Sequence, residues 1–221
     1  MADWTPPAGN GPRWIAACVV GLAVGLPLAT LWNVVLLPQA MPEAGRLGML
    51  VMLLRALAGA IAGGCLGLAQ AVALMRTYPG FPAPLWIGAT AAAGYAAALV
   101  TILVYGVLTS WAAGMTIATF VVIAALVTSV VSGLTYGLAQ GRVLGRVVAA
   151  QGTWAWLVML GSMLGALLGS ARWLLGVTAT DATSLVTGGI IGGALEGLAL
   201  GLVTAGAFRV MPPRRAPRSQ P

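Results

Sequence analysis

Six long apolar runs, at residues 15–37, 50–74, 85–108, 116–139, 154–176 and 184–208, leave this chain few ways to fold. Each is close to the ~20 residues a helix needs to cross ~30 Å of hydrocarbon. The separators carry charges and helix breakers, among them Pro38, Pro42, Glu43, Arg76, Pro79 and Arg142. Composition removes the alternative of a water-soluble globule. Apolar residues make up 60% of the chain and charged residues 7%, whereas a soluble domain carries about 25% charged residues to clothe its surface. Mean hydropathy is +0.98. The expected fold is all-α, a polytopic helical membrane protein with about six transmembrane helices.

Arginine placement sets the expected orientation, because basic residues concentrate on the cytoplasmic side. With the amino terminus inside, Arg13, Arg76, Arg142, Arg146, Arg209, Arg214, Arg215 and Arg218 are cytoplasmic, and Arg46, Arg55 and Arg172 are external. Both termini are therefore expected in the cytoplasm, with the chain in the cell's inner (plasma) membrane. Residues 1–13 read as a short cytoplasmic segment, 14–208 as the transmembrane domain and 209–221 as a basic tail near anionic headgroups. The start holds Asp3, Pro6 and Pro7 and is not the basic start of a cleavable signal, so the first span is expected to stay as an anchor.

The runs repeat in pairs. Trp14 is followed at seven and eleven residues by Gly21 and Gly25, Trp86 by Ala93 and Ala97, and Trp154 by Gly161 and Gly165. In the even-numbered runs, Gly63-Gly64-Cys65-Leu66-Gly67-Leu68-Ala69-Gln70 matches Gly133-Leu134-Thr135-Tyr136-Gly137-Leu138-Ala139-Gln140. The last run answers with Gly193-Ala194-Leu195-Glu196-Gly197-Leu198-Ala199-Leu200. Three repeated helical hairpins, at about 14–76, 84–146 and 154–208, describe this economically. At 100° per residue Gly59, Gly63 and Gly67 share one helix face, as do Gly133 with Gly137, and Gly189 with Gly193 and Gly197. Small residues at this spacing let helix backbones approach closely. The tryptophans are expected at headgroup level, as interfacial anchors.

The repeated tryptophan, glycine and Gly-Leu-Ala-Gln motifs resemble those of a loose group of uncharacterised bacterial multipass membrane proteins. The resemblance runs over most of residues 14–209 and implies that fold type and a bacterial membrane.

Few side chains within the runs can carry chemistry. Glu196 falls about midway through the last run, where a charge costs at least ~2.5 kcal/mol on insertion scales and commonly marks an ion or proton path. Tyr136 and Leu66 hold the equivalent repeat positions. Gln70, Gln140 and Asn33 are expected to form interhelical hydrogen bonds, each worth ~0.6–2 kcal/mol. Arg55 is either another interhelical polar group or a side chain snorkelling to the headgroups. Cys18 and Cys65 differ in depth by about 9 Å of helix rise, too far for a disulfide.

Histidine is absent, which removes the commonest metal and haem ligand and the usual proton shuttle. No phosphate-binding loop and no acid pair occurs within the runs, so no enzyme, cofactor or metal is expected. The arginines are scattered between apolar runs, which argues against nucleic acid. The lipid bilayer is the expected partner, with other membrane subunits or self-association beside it. On this reading the chain is a non-enzymatic scaffold or accessory subunit of a membrane assembly. The rival is a small-solute transporter or channel using Glu196 near the bilayer midplane.

Overall fold

The computed structural model of the chain describes residues 9–40, 48–148, 152–174 and 182–213. Glu43, Arg46, Asp181, Arg214, Arg215 and Arg218 lie outside the described residues, as does the side chain of Arg172. Lipid offers no hydrogen bonds, so a spanning segment must satisfy its backbone internally. The chain does so with helices: α1 Asn10–Leu31, α2 Gly48–Thr77, α3 Ala83–Trp111, α4 Ile117–Leu144, α5 Gly152–Leu174 and α6 Ala182–Ala205. A π-helical turn, Trp32–Leu36, and the short helix Leu37–Ala40 prolong α1, and a 3-10 turn, Gly206–Arg209, prolongs α6. All six are long and apolar enough to cross a membrane. The chain is an all-α, multi-pass membrane protein.

Short turns make α2, α3 and α4 antiparallel neighbours. Gly80 has φ +76° in the turn before α3, and Gly114 has φ +90° before α4, a conformation glycine adopts without a Cβ clash. The Thr116 side chain then caps α4 by accepting from the Thr119 amide at 3.2 Å. Each helix packs on its sequence neighbours, and α6 packs on α1, closing a ring of six. The amino end of α1 and the carboxyl end of α6 fall at the same end of the ring, here the terminal end.

Small residues let these helices approach closely, and most helices present theirs to the next helix round the ring. On α2 a Cβ at Gly63 would lie 2.5 Å from the Thr90 carbonyl oxygen of α3, and one at Gly67 would lie 2.9 Å from Thr90 Cβ. Gly59 meets Gly94 in the same seam. On α4, Cβ atoms at Gly133 and Gly137 would each lie 2.5 Å from a Cα of α5, those of Met159 and Ala155. On α6, Gly189 faces Pro27 at 3.2 Å, while Gly193 and Gly197 meet the carbonyls of Leu22 and Cys18 on α1. Gly21 and Gly25 of α1 press on α2, and Gly161 and Gly165 of α5 on α6, all within 3.0 Å. At the matching offsets α3 has the alanines Ala93 and Ala97, whose methyls hold backbones further apart. The α3–α4 seam is the least extensive of the six.

The surface is inverted relative to a soluble protein. Leu68 and Leu138 are each 57% exposed, whereas Gln70 and Gln140, two residues on, are 1% and 2% exposed. The tryptophans correct an expectation. Trp14, Trp86 and Trp154 do not face lipid; they are 1%, 0% and 0% exposed and form the centre of the bundle's main apolar cluster. The physical reason lies in their own spacing. Offsets of seven and eleven residues turn a helix by 700° and 1100°, within about 20° of whole turns. Each tryptophan thus shares the inward face of the small residues that follow it.

Candidate functional site

The interior along the ring axis is built in tiers. Nearest the terminal end, the tryptophan rings meet edge to face, Trp14 with Trp154 at 5.7 Å and Trp86 with Trp154 at 6.2 Å between centroids. Phe208, just beyond α6, packs on Trp14 at 5.1 Å and on Trp154 at 6.2 Å. Met211 is fully buried, and its carbonyl accepts a hydrogen bond from the Tyr78 hydroxyl at 3.1 Å. An isolated bridge joins Val148 to Pro213. The segment after α6 therefore folds back under the bundle and seals it.

The next tier is polar, and its bonds touch all six helices. Gln140 Nε2 donates to Gln70 Oε1 at 3.0 Å and lies 3.3 Å from Thr90 Oγ1. Gln140 Oε1 accepts from Trp154 Nε1 at 3.3 Å, and Gln70 Nε2 reaches Cys18 Sγ at 3.4 Å. Trp14 Nε1 donates to Thr204 Oγ1 at 2.7 Å. Trp86 Nε1 is buried with no partner. Gln70 is the residue placed to serve it by analogy with Gln140 and Trp154, but its amide is turned to Gln140 and Cys18.

Above that tier lies a cavity of about 210 Å3. Leu66, Tyr136 and Glu196, the residues preceding Gly67, Gly137 and Gly197, all line it. So do Leu22, Gly94 and Ser162, each eight residues after one of the tryptophans. Missing side chains make room for Tyr136 and Glu196. A Cβ at Gly94 would come within 2.6 Å of the Tyr136 hydroxyl and one at Gly63 within 3.1 Å, while one at Gly165 would meet Glu196 Cγ at 2.7 Å. Hydroxyls of Thr101 and Ser132 add polar surface, and no arginine lines the space. Toward the far end α3 and α4 loosen, for no residue from 98 to 123 is buried.

Other anticipated residues stand apart. Asn33 lies in the π-helical turn, and its Oδ1 is buried without a hydrogen-bond partner, so the interhelical bond expected there through that oxygen is not made. The α1–α2 bond at this depth comes instead from Trp32, whose Nε1 donates to the Leu54 carbonyl at 2.8 Å. Arg55 is exposed on α2 and does not line the cavity. Cys18 and Cys65 are free thiols. Among the described residues no cluster of His, Cys, Asp or Glu could hold a metal.

Ser132, Ser162, Thr101 and Thr204 carry no sequence signal that singles them out. Hydroxyls in membrane helices readily bond back to their own helix, as Thr128 does to Ala124 and Thr135 to Val131. The repeat offsets do locate Ser162 and Ser132, once Trp+8 and the residue four before Tyr136 are recognised as axial. Comparison with family models, characterised proteins and solved structures finds no match for the chain.

Proposed function

We propose that this chain is a non-enzymatic multi-pass membrane protein of the transporter or channel class, with its solute site in the axial cavity and Glu196 as the charged group there. The cavity carries this reading: one intramembrane carboxylate and the Tyr136, Ser132 and Ser162 side chains converge on one space from α4, α5 and α6. Ionisable groups inside membranes characteristically face such cavities, and sites at the centre of repeated helical units are common among transporters. The repeated sequence motifs of the three hairpins support such an arrangement. The arginine distribution supports a plasma-membrane placement with the sealed, terminal end cytoplasmic, and the motif resemblance supports a bacterial one.

A scaffold or accessory subunit, packing against itself or other membrane proteins, is the second reading. Its sequence support was the abundance of glycine faces. Those faces are occupied within the chain: Gly59, Gly63 and Gly67 by α3, Gly133 and Gly137 by α5, and Gly189, Gly193 and Gly197 by α1. They are not free for a partner, which is why the solute reading stands ahead. The test is access. In a Cys18→Ala, Cys65→Ala background, Ser162→Cys in liposomes should react with a small, membrane-impermeant thiol reagent applied from the far side. No reaction from either side would remove the solute reading and leave the scaffold.

A further inference from the structure

We infer that the axial cavity takes a small monovalent organic ammonium ion, a cationic nitrogen carrying an apolar body, with Glu196 as its counter-ion. The inference rests on the cavity being a solute site. Charge is the first argument. One carboxylate and no arginine line the space, so one positive charge is balanced. A divalent ion would keep an unpaired charge away from water, and an anion would meet only the carboxylate, each at a steep desolvation cost.

Size and lining decide between an inorganic ion and an organic one. At roughly 30 Å3 per water, the cavity of about 210 Å3 is far larger than a bare alkali ion. Such an ion would have to bring water into a space walled largely by Leu22, Leu26, Val158 and Leu200. An ammonium ion with an apolar body satisfies both surfaces. The repeat distributes the parts, for the three equivalent positions hold an aliphatic side chain, an aromatic one and an acid in Leu66, Tyr136 and Glu196. An acid pairs with the cationic nitrogen, an aromatic ring attracts it, and hydroxyls such as those of Ser132 and Ser162 accept its N–H groups.

Isothermal titration of the full chain in detergent, with n-butylammonium, 1-butanol and butyrate as probes, tests this. Butylammonium should bind at least ~10-fold more tightly than the other two, and Glu196→Gln should remove that preference. The selectivity of the wild-type chain needs no variant and so survives any folding defect. Equal binding of butanol and butylammonium, or a preference that Glu196→Gln retains, overturns the cation assignment while leaving the cavity a solute site. No binding of any probe overturns it too, and if Ser162→Cys is also unreactive, the solute reading falls with it.

Discussion

The terminal half of the bundle and the far half are made from the same six helices but packed in different ways. In the terminal half, three tryptophans, Phe208, Tyr78 and Met211 fill the axis, and all are 2% exposed or less. The nearby indole and amide groups bond to one another, to Thr204 and to Cys18, with Trp86 Nε1 and Asn10 Nδ2 left over. In the far half the axis is left partly empty, and Glu196 and several hydroxyls face the gap. Because lipid is as apolar as the core, burying hydrocarbon gives little drive for helices to associate, and packing and hydrogen bonding must hold the bundle. The terminal half supplies that cohesion. The far half is thereby free to keep a space that tight packing would have filled.

The largest expected effect breaks the seal. Trp154 touches Trp14, Trp86 and Phe208 and donates to Gln140. Trp154→Ala should cost about 3–5 kcal/mol, whereas Leu103→Ala, at a residue 57% exposed in the far half, should stay within ~0.5 kcal/mol. Thermal unfolding in detergent measures both, and similar losses would erase the contrast between the halves.

A matched pair of glycines gives the next effect. Gly137→Leu places a side chain where even a Cβ would lie 2.5 Å from Ala155 Cα, while Gly106 in the far half has nothing within 4 Å. The first should destabilise by about 1–3 kcal/mol. Gly106→Leu should cost nothing and gain helix propensity. If both lose equally, the α4–α5 seam is not closed by its glycines.

The polar tier gives an effect of the same order. Gln140→Leu strands Gln70 Oε1 and Trp154 Nε1, and a buried orphaned group costs about 1–3 kcal/mol. Ser132→Ala, at a hydroxyl that faces the cavity, should change stability by less than ~0.5 kcal/mol. The same unfolding assay ranks them, and a reversed order would mean that the cavity hydroxyls hold the bundle.

Much of this arrangement is legible in the sequence, and the gaps have physical causes. The spans follow from hydropathy because lipid permits a helix and little else. The glycine seams follow from spacing, since three- and four-residue offsets select one face of a helix. The inward facing of the tryptophans is not legible from residue type, because an amphipathic ring suits a headgroup layer and a buried hydrogen-bonded site equally well. Only their register with Gly21, Ala93 and Gly161 distinguishes the two. Asn33 lies in a π-helical turn that no residue pattern announces, and its Oδ1 is left without a partner there. The cavity could not be foreseen, for it depends on which side chains fail to meet across the ring, not on any one of them.

Glu196→Gln should have the smallest effect on stability and a decisive one on function. Glutamine preserves the length and most of the hydrogen-bonding capacity of glutamate, so the fit of Glu196 Cγ over Gly165 is retained. A carboxylate facing a space with no arginine contributes no salt bridge whose loss would weaken the fold. Removing its charge relieves desolvation rather than orphaning a partner. The melting temperature should therefore hold or rise slightly, with a stability change within ~0.5 kcal/mol, while flux of a cationic solute into liposomes is abolished. That combination belongs to a group kept for its charge, against its own cost in the membrane. A loss above ~1 kcal/mol would instead make Glu196 part of what binds α5 to α6. The far half would then be a second structural layer, and the division between a cohesive end and an open one would fail at its central residue.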